Sequence, residues 1–219
     1  MSKTPITTIG AIAAAPFATA ASGQIVYTEL GPVSGDLSGA NAMGSIVLGI
    51  DFNQDTSTDM NIRRQINGAA KLYIDGDAGS SQGNNDEDEI ITSSPGDLNP
   101  TPLLAGDIID GTANFRFASN NNGGAADSDI WKADGSGSFP VDGVERFIGV
   151  RTVLDGNTVF GWIGIVLLSE DGNSINGFVS GHAYELSGGP IAAGAIPAPA
   201  GAATLALGGL ALAGRRRVG

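Results

Sequence analysis

The chain has 219 residues, enough for one domain with a substantial core, and 34 of them are glycine. It has no cysteine, which excludes disulfide staples and thiol chemistry. A formal charge of −12 makes nucleic acid and anionic membrane surfaces poor partners and cations good ones.

The first residues carry an export pattern. Lys3 gives a basic start, residues 6–15 are weakly apolar, and Ala18-Thr19-Ala20 supplies the small-x-small spacing of a cleavage site. Pro16 would break a continuous helix here. Residues 1–21 are therefore expected to be a secretory signal peptide.

The body, residues 22–195, is punctuated by Gly, Asn, Asp and Ser into short apolar runs, the pattern of an all-β chain. After an opening run at 24–30, residues 45–52 alternate, with Ile46, Leu48, Ile50 and Phe52 on one face. Strands are expected at 61–66 and 69–74, where Ala70, Leu72 and Ile74 face one way and Lys71 and Tyr73 the other. Residues 113–118 repeat the pattern, with Phe115 and Phe117 inward and Asn114 and Arg116 outward. Three later runs, 146–154, 158–168 and 175–186, are separated by Asp155-Gly156-Asn157 and Glu170-Asp171-Gly172-Asn173. Such turns tolerate positive φ, so the three runs should form an antiparallel meander. Its middle strand is apolar on both faces, Val159, Ile163, Ile165 and Leu167 on one and Phe160, Trp162, Val166 and Leu168 on the other. That places it centrally in a sheet with a further layer over it. The expected architecture is a single antiparallel β-sandwich or jelly-roll-like domain, without a long amphipathic helix.

The chain ends in three parts: Pro197-Ala198-Pro199, an uncharged segment rich in Ala, Gly and Leu, and Arg215-Arg216-Arg217. As a helix the fourteen residues 201–214 reach roughly 21 Å. A hydrocarbon core is about 30 Å thick, so the segment is a marginal or transient membrane anchor whose arginines stay on the cytoplasmic side. This order resembles the PEP-CTERM sorting signal of exported bacterial proteins processed by an exosortase, with Ala198 where that family usually has glutamate. The resemblance spans residues 196–217. It implies export, a temporary membrane stop, an exosortase-type enzyme as a partner, and release or attachment at the cell surface or in the extracellular matrix. The succession Phe147-Ile148-Gly149-Val150-Arg151, Phe160-Gly161-Trp162-Ile163, Ala183-Tyr184-Glu185 and Gly189-Pro190-Ile191 is similar to the end of β-rich ectodomains attached to such tails. Removing leader and tail leaves seven basic against twenty-three acidic residues, a formal charge of −16.

Three places invite chemistry. Asp51, Asn53, Asp55 and Asp59 put oxygen side chains at positions 1, 3, 5 and 9 of a loop, the start of an arrangement that wraps calcium, which takes six to eight hard oxygen ligands. Thr56 stands where glycine usually makes the sharp turn, and Ile62 where a bidentate glutamate closes the shell; an acidic turn is the alternative. Next, Asp75-Gly76-Asp77 and Asp86-Glu87-Asp88-Glu89 flank a Gly/Ser/Asn loop, a pattern of cation holding or simple solvation, with solvation favoured. Between them Gly79-Ser80-Ser81-Gln82-Gly83 matches G-x-S-x-G without the following helix that motif requires. Finally, His182 is the sole imidazole available to a Ser-His-Asp triad, though a structural histidine is expected there. Trp131 is the candidate exposed aromatic for stacking on a sugar, and Trp162 reads as core. These features give a non-enzymatic, exported structural or binding protein as the first reading. A calcium-dependent carbohydrate-binding module with an exopolysaccharide partner is the second, and a secreted hydrolase the third.

Overall fold

The computed structural model describes residues 24–38, 45–65, 70–76, 88–118, 128–170 and 174–197. In chain order the elements are β1 (Ile25–Glu29), the single helical turn α1 (Gly31–Ser34), β2 (Ser45–Ile50), β3 (Met60–Gln65), β4 (Lys71–Gly76), β5 (Glu89–Ile91), β6 (Ile108–Ile109), β7 (Phe115–Phe117), β8 (Ser128–Lys132), β9 (Arg146–Leu154), β10 (Asn157–Glu170), β11 (Ile175–Glu185) and β12 (Ile191–Ala192). The fold is all-β and its named strands pair antiparallel. A six-stranded sheet runs β1-β11-β10-β9-β5-β7, a four-stranded sheet β2-β3-β4-β8, and β12 pairs with β6.

The expected meander is present as β9, β10 and β11. Its first turn has Asp155 at φ 52° and Gly156 at φ 78°, two successive left-handed residues that let Leu154 face Asn157 across a two-residue loop. β10 is interior to its sheet and buried on both faces. Val159, Ile163, Ile165 and Leu167 join the main core, while Trp162 belongs to a second cluster against which Phe160 packs. Ile50, Met60, Ile62, Leu72 and Ile74 from the four-stranded sheet lie in that same main core, so two sheets share one apolar interior. Each such fully buried aliphatic side chain contributes about 1.5–3 kcal/mol.

The second cluster forms where Ile109, Ile191 and Ala193 cover the other face of the six-stranded sheet. Trp162 meets Phe147 edge-on at 5.2 Å, and its Nε1 donates to the Ala195 carbonyl at 3.2 Å. This second layer explains the apolar run in the middle of β10, since neither face of residues 161–167 is left for water.

Several expectations are corrected. Phe117 is 42% exposed because β7 is the end strand of its sheet, and Leu168 is 49% exposed where β10 runs past its cover. Tyr73 is buried although it lies opposite Leu72 and Ile74, with Lys71 Nζ 4.9 Å from its ring centre. β2 stops at Ile50, leaving Phe52 in the loop yet fully buried. Among the described residues no helix is long and apolar enough to cross a membrane. The expected leader and the 200–214 segment lie outside the described residues.

Candidate cation-binding loop

The loop of residues 51–59 joins β2 to β3, with Ile50 opposite Met60 and Asp59 N–H donating to the Ile50 carbonyl at 2.8 Å. All four predicted oxygen side chains lie on it. Asp51 Oδ1 accepts from Asp55 N–H at 3.3 Å and its Oδ2 from Thr56 N–H at 2.9 Å. Asn53 Oδ1 also accepts from Asp55 N–H at 3.2 Å, and Asn53 Nδ2 donates to Asp55 Oδ2 at 3.2 Å. Asp55 Oδ1 in turn accepts from Ser57 N–H at 2.7 Å. Gln54 and Thr56 sit at φ 60° and 77°, so the sharp turn that glycine would make is made here by a β-branched residue held by Asp51.

Asp59 turns inward, its Oδ2 accepting from Phe52 N–H at 2.6 Å. Burial pushes its carboxyl up to about 6; the Phe52 N–H works against that rise, while the negative charges of Asp88, Asp51 and Asp55 add to it. The Ser57 N–H, with Asn53, holds the exposed Asp55 carboxyl below its ordinary value. Phe52 anchors the loop from below, edge-on to His182 at 5.1 Å and to Tyr184 at 6.3 Å. Gln54 Nε2 donates to Thr28 Oγ1 at 3.2 Å, tying the tip to β1.

Four oxygen-bearing side chains fall short of a full calcium shell, so any remaining ligands would be backbone carbonyls and water. Ile62, at the position of the closing acid, is fully buried in the core and cannot serve. No three His, Asp or Glu side chains converge in a metal-holding group among the described residues.

His182 is 3% exposed, and burial lowers it to about 4 although the charge of Asp51 opposes the fall. Its Nδ1 has no hydrogen-bond partner among the described residues. Of the second acidic group, Asp75 pairs with Arg63 at 2.6 Å, Asp88 accepts from Thr152 Oγ1, and Glu89 pairs with Arg151. Those three are interior or part-buried partners, contrary to the expected solvation. Asp77, Asp86, Glu87 and the G-x-S-x-G match lie outside the described residues. So do Pro199, Arg215, Arg216 and Arg217, whereas Pro197 is exposed near the end of the described chain.

Trp131 is not the exposed aromatic that its polar neighbours suggested. It lies on β8, 3% exposed, and its Nε1 donates to Glu170 Oε2 at 2.6 Å. That pairing spans 39 residues of sequence and left no local signal. Comparison of the chain with protein-family models, with curated proteins and with solved structures finds no match.

Proposed function

We propose that the chain is an exported protein with a structural or binding role at the cell surface or in the extracellular matrix, sorted through its C-terminal tail. The observation that carries this reading is the order Pro197-Ala198-Pro199, uncharged segment, Arg215-Arg216-Arg217 at one end, matched by a leader pattern in residues 1–21 at the other. In this reading an exosortase-type enzyme meets the tail while it rests in the membrane, and residues 22–195 work outside as a β-sandwich or jelly-roll-like ectodomain. The acidic, cysteine-free body suits that setting, being soluble and independent of redox state. Mass spectrometry of the protein recovered from its native host tests the proposal by reading both termini. Loss of the leader and a cut or modified end near Pro199 is the expected result; an intact chain in the cell interior overturns it.

A second reading, calcium held by Asp51, Asn53, Asp55 and Asp59, draws on one observation. The four oxygen side chains share the short loop between β2 and β3, where, after burial, the negative charges of Asp88, Asp51 and Asp55 add to the rise of the Asp59 carboxyl, a repulsion that a divalent cation would relieve. Calcium should then raise the melting temperature, and D51A/D55A should abolish the rise. An unchanged melting temperature in calcium removes this reading.

A further inference from the structure

Beside Trp131 lies a cleft of about 500 Å³, within the roughly 300–1,000 Å³ of small-molecule sites. Its wall is a tight turn after β8. Gly135 has φ 79° and its N–H donates to the Lys132 carbonyl at 2.9 Å, after which Phe139 N–H returns to the Ile130 carbonyl at 2.9 Å. Gly137 is pressed onto the strand, where a Cβ would come within 2.6 Å of the Trp131 Cα and of the Lys132 nitrogen. Asn99 ties the turn down, its Nδ2 donating to the Ser136 carbonyl at 3.2 Å while its Oδ1 accepts from Asp129 N–H at 3.1 Å. The cleft is therefore built on anchored backbone.

Its chemistry is mixed. The floor is formed by Trp131 and Phe139, both almost wholly buried. Around it stand Lys132, Asp134 and Glu170. Lys132 Nζ is 3.3 Å from Asp134 Oδ2 and 3.9 Å from Asp129 Oδ2, so its charge is already shared. Asp134 is fixed by Ser136, whose Oγ and N–H donate to its Oδ1 at 2.6 and 2.9 Å. Glu170 Oε2 takes the indole N–H, a neutral donor that orients the carboxylate without neutralising it.

An anion is disfavoured by two carboxylates facing one shared ammonium, and an apolar ligand by the polar rim. A neutral ligand carrying both hydroxyl donors and acceptors satisfies all three groups. We propose that this cleft binds a single neutral pyranose unit, with Glu170 accepting from adjacent sugar hydroxyls, Lys132 donating to a sugar oxygen and the Trp131–Phe139 floor taking a C–H edge of the ring. The site is separate from the 51–59 loop and independent of how the leader and tail are processed, so its failure leaves the export proposal intact.

The full chain, ¹⁵N-labelled, has two tryptophans and hence two indole N–H resonances. The resonance that E170Q displaces is that of Trp131, and an unmoved Trp162 resonance shows that this variant keeps its fold. Titration with glucose, galactose, mannose and N-acetylglucosamine should move the Trp131 resonance saturably with at least one sugar and leave Trp162 still. E170Q should weaken that sugar at least about tenfold, as loss of a charged acceptor implies. No response to any of the four, or an equal affinity in E170Q, overturns the proposal.

Discussion

The 51–59 loop and the Trp131 cleft are both polar features seated on the shared core, yet their carboxylates are used in opposite ways. In the loop, Asp51, Asp55 and Asp59 accept from the loop's own N–H groups, so the side chains fold the backbone that carries them. In the cleft Asp134 does the same for Ser136, but a glycine turn and Asn99 share the shaping, and the Glu170 carboxylate accepts from a side chain, the Trp131 indole N–H. Acids count as a site where other groups have already shaped the backbone. Where the acids do the shaping, their first role is structural.

The largest expected effect falls on the loop. Phe52, fully buried under the acidic loop, is the pin that joins it to His182 and Tyr184; F52A should cost about 3–5 kcal/mol by chemical denaturation. A loss near zero would mean that the loop is an appendage. D59A leaves the Phe52 N–H without its acceptor and should cost about 1–3 kcal/mol. D59N keeps an acceptor and removes the repelled charge, so its melting temperature at pH 8 should equal or exceed that of the parent.

The pH dependence sharpens the same point. Asp59, raised to about 6, contributes stability that is complete below its ordinary value of 3.8 and is lost as pH rises through 6. His182, lowered to about 4, contributes stability that is complete above 6.5 and is lost as pH falls through 4. Between these limits the two slopes oppose. D59N should therefore show a melting temperature that rises with pH across this window, and H182Q one that falls; identical profiles would contradict the assignment. The smallest effect belongs to the cleft. Glu170 is exposed, so E170Q should shift stability by no more than about 0.5 kcal/mol in either direction while changing ligand response.

The β9–β10–β11 meander was readable because its strands are long, its first turn is Asp155-Gly156, and β10 is apolar on both faces, a pattern only a covered central strand needs. β6 and β12 were not, since two residues carry no period. Trp131 misled because local polarity surrounds it in sequence, while its cover comes from Phe139 and from Glu170 on a distant strand. The four oxygen positions of the loop were legible, but the inward turn of Asp59 was not. Its partner, Phe52 N–H, is exposed as a need only once Phe52 is drawn from an expected strand into the core.

β10 supplies side chains to both apolar clusters. Neither cluster can come apart while that strand holds, so the two layers should melt in one step, and the slowest amide hydrogens to exchange should be those of residues 159–167. Such cooperativity keeps cleavable backbone hidden from proteases until the entire fold opens.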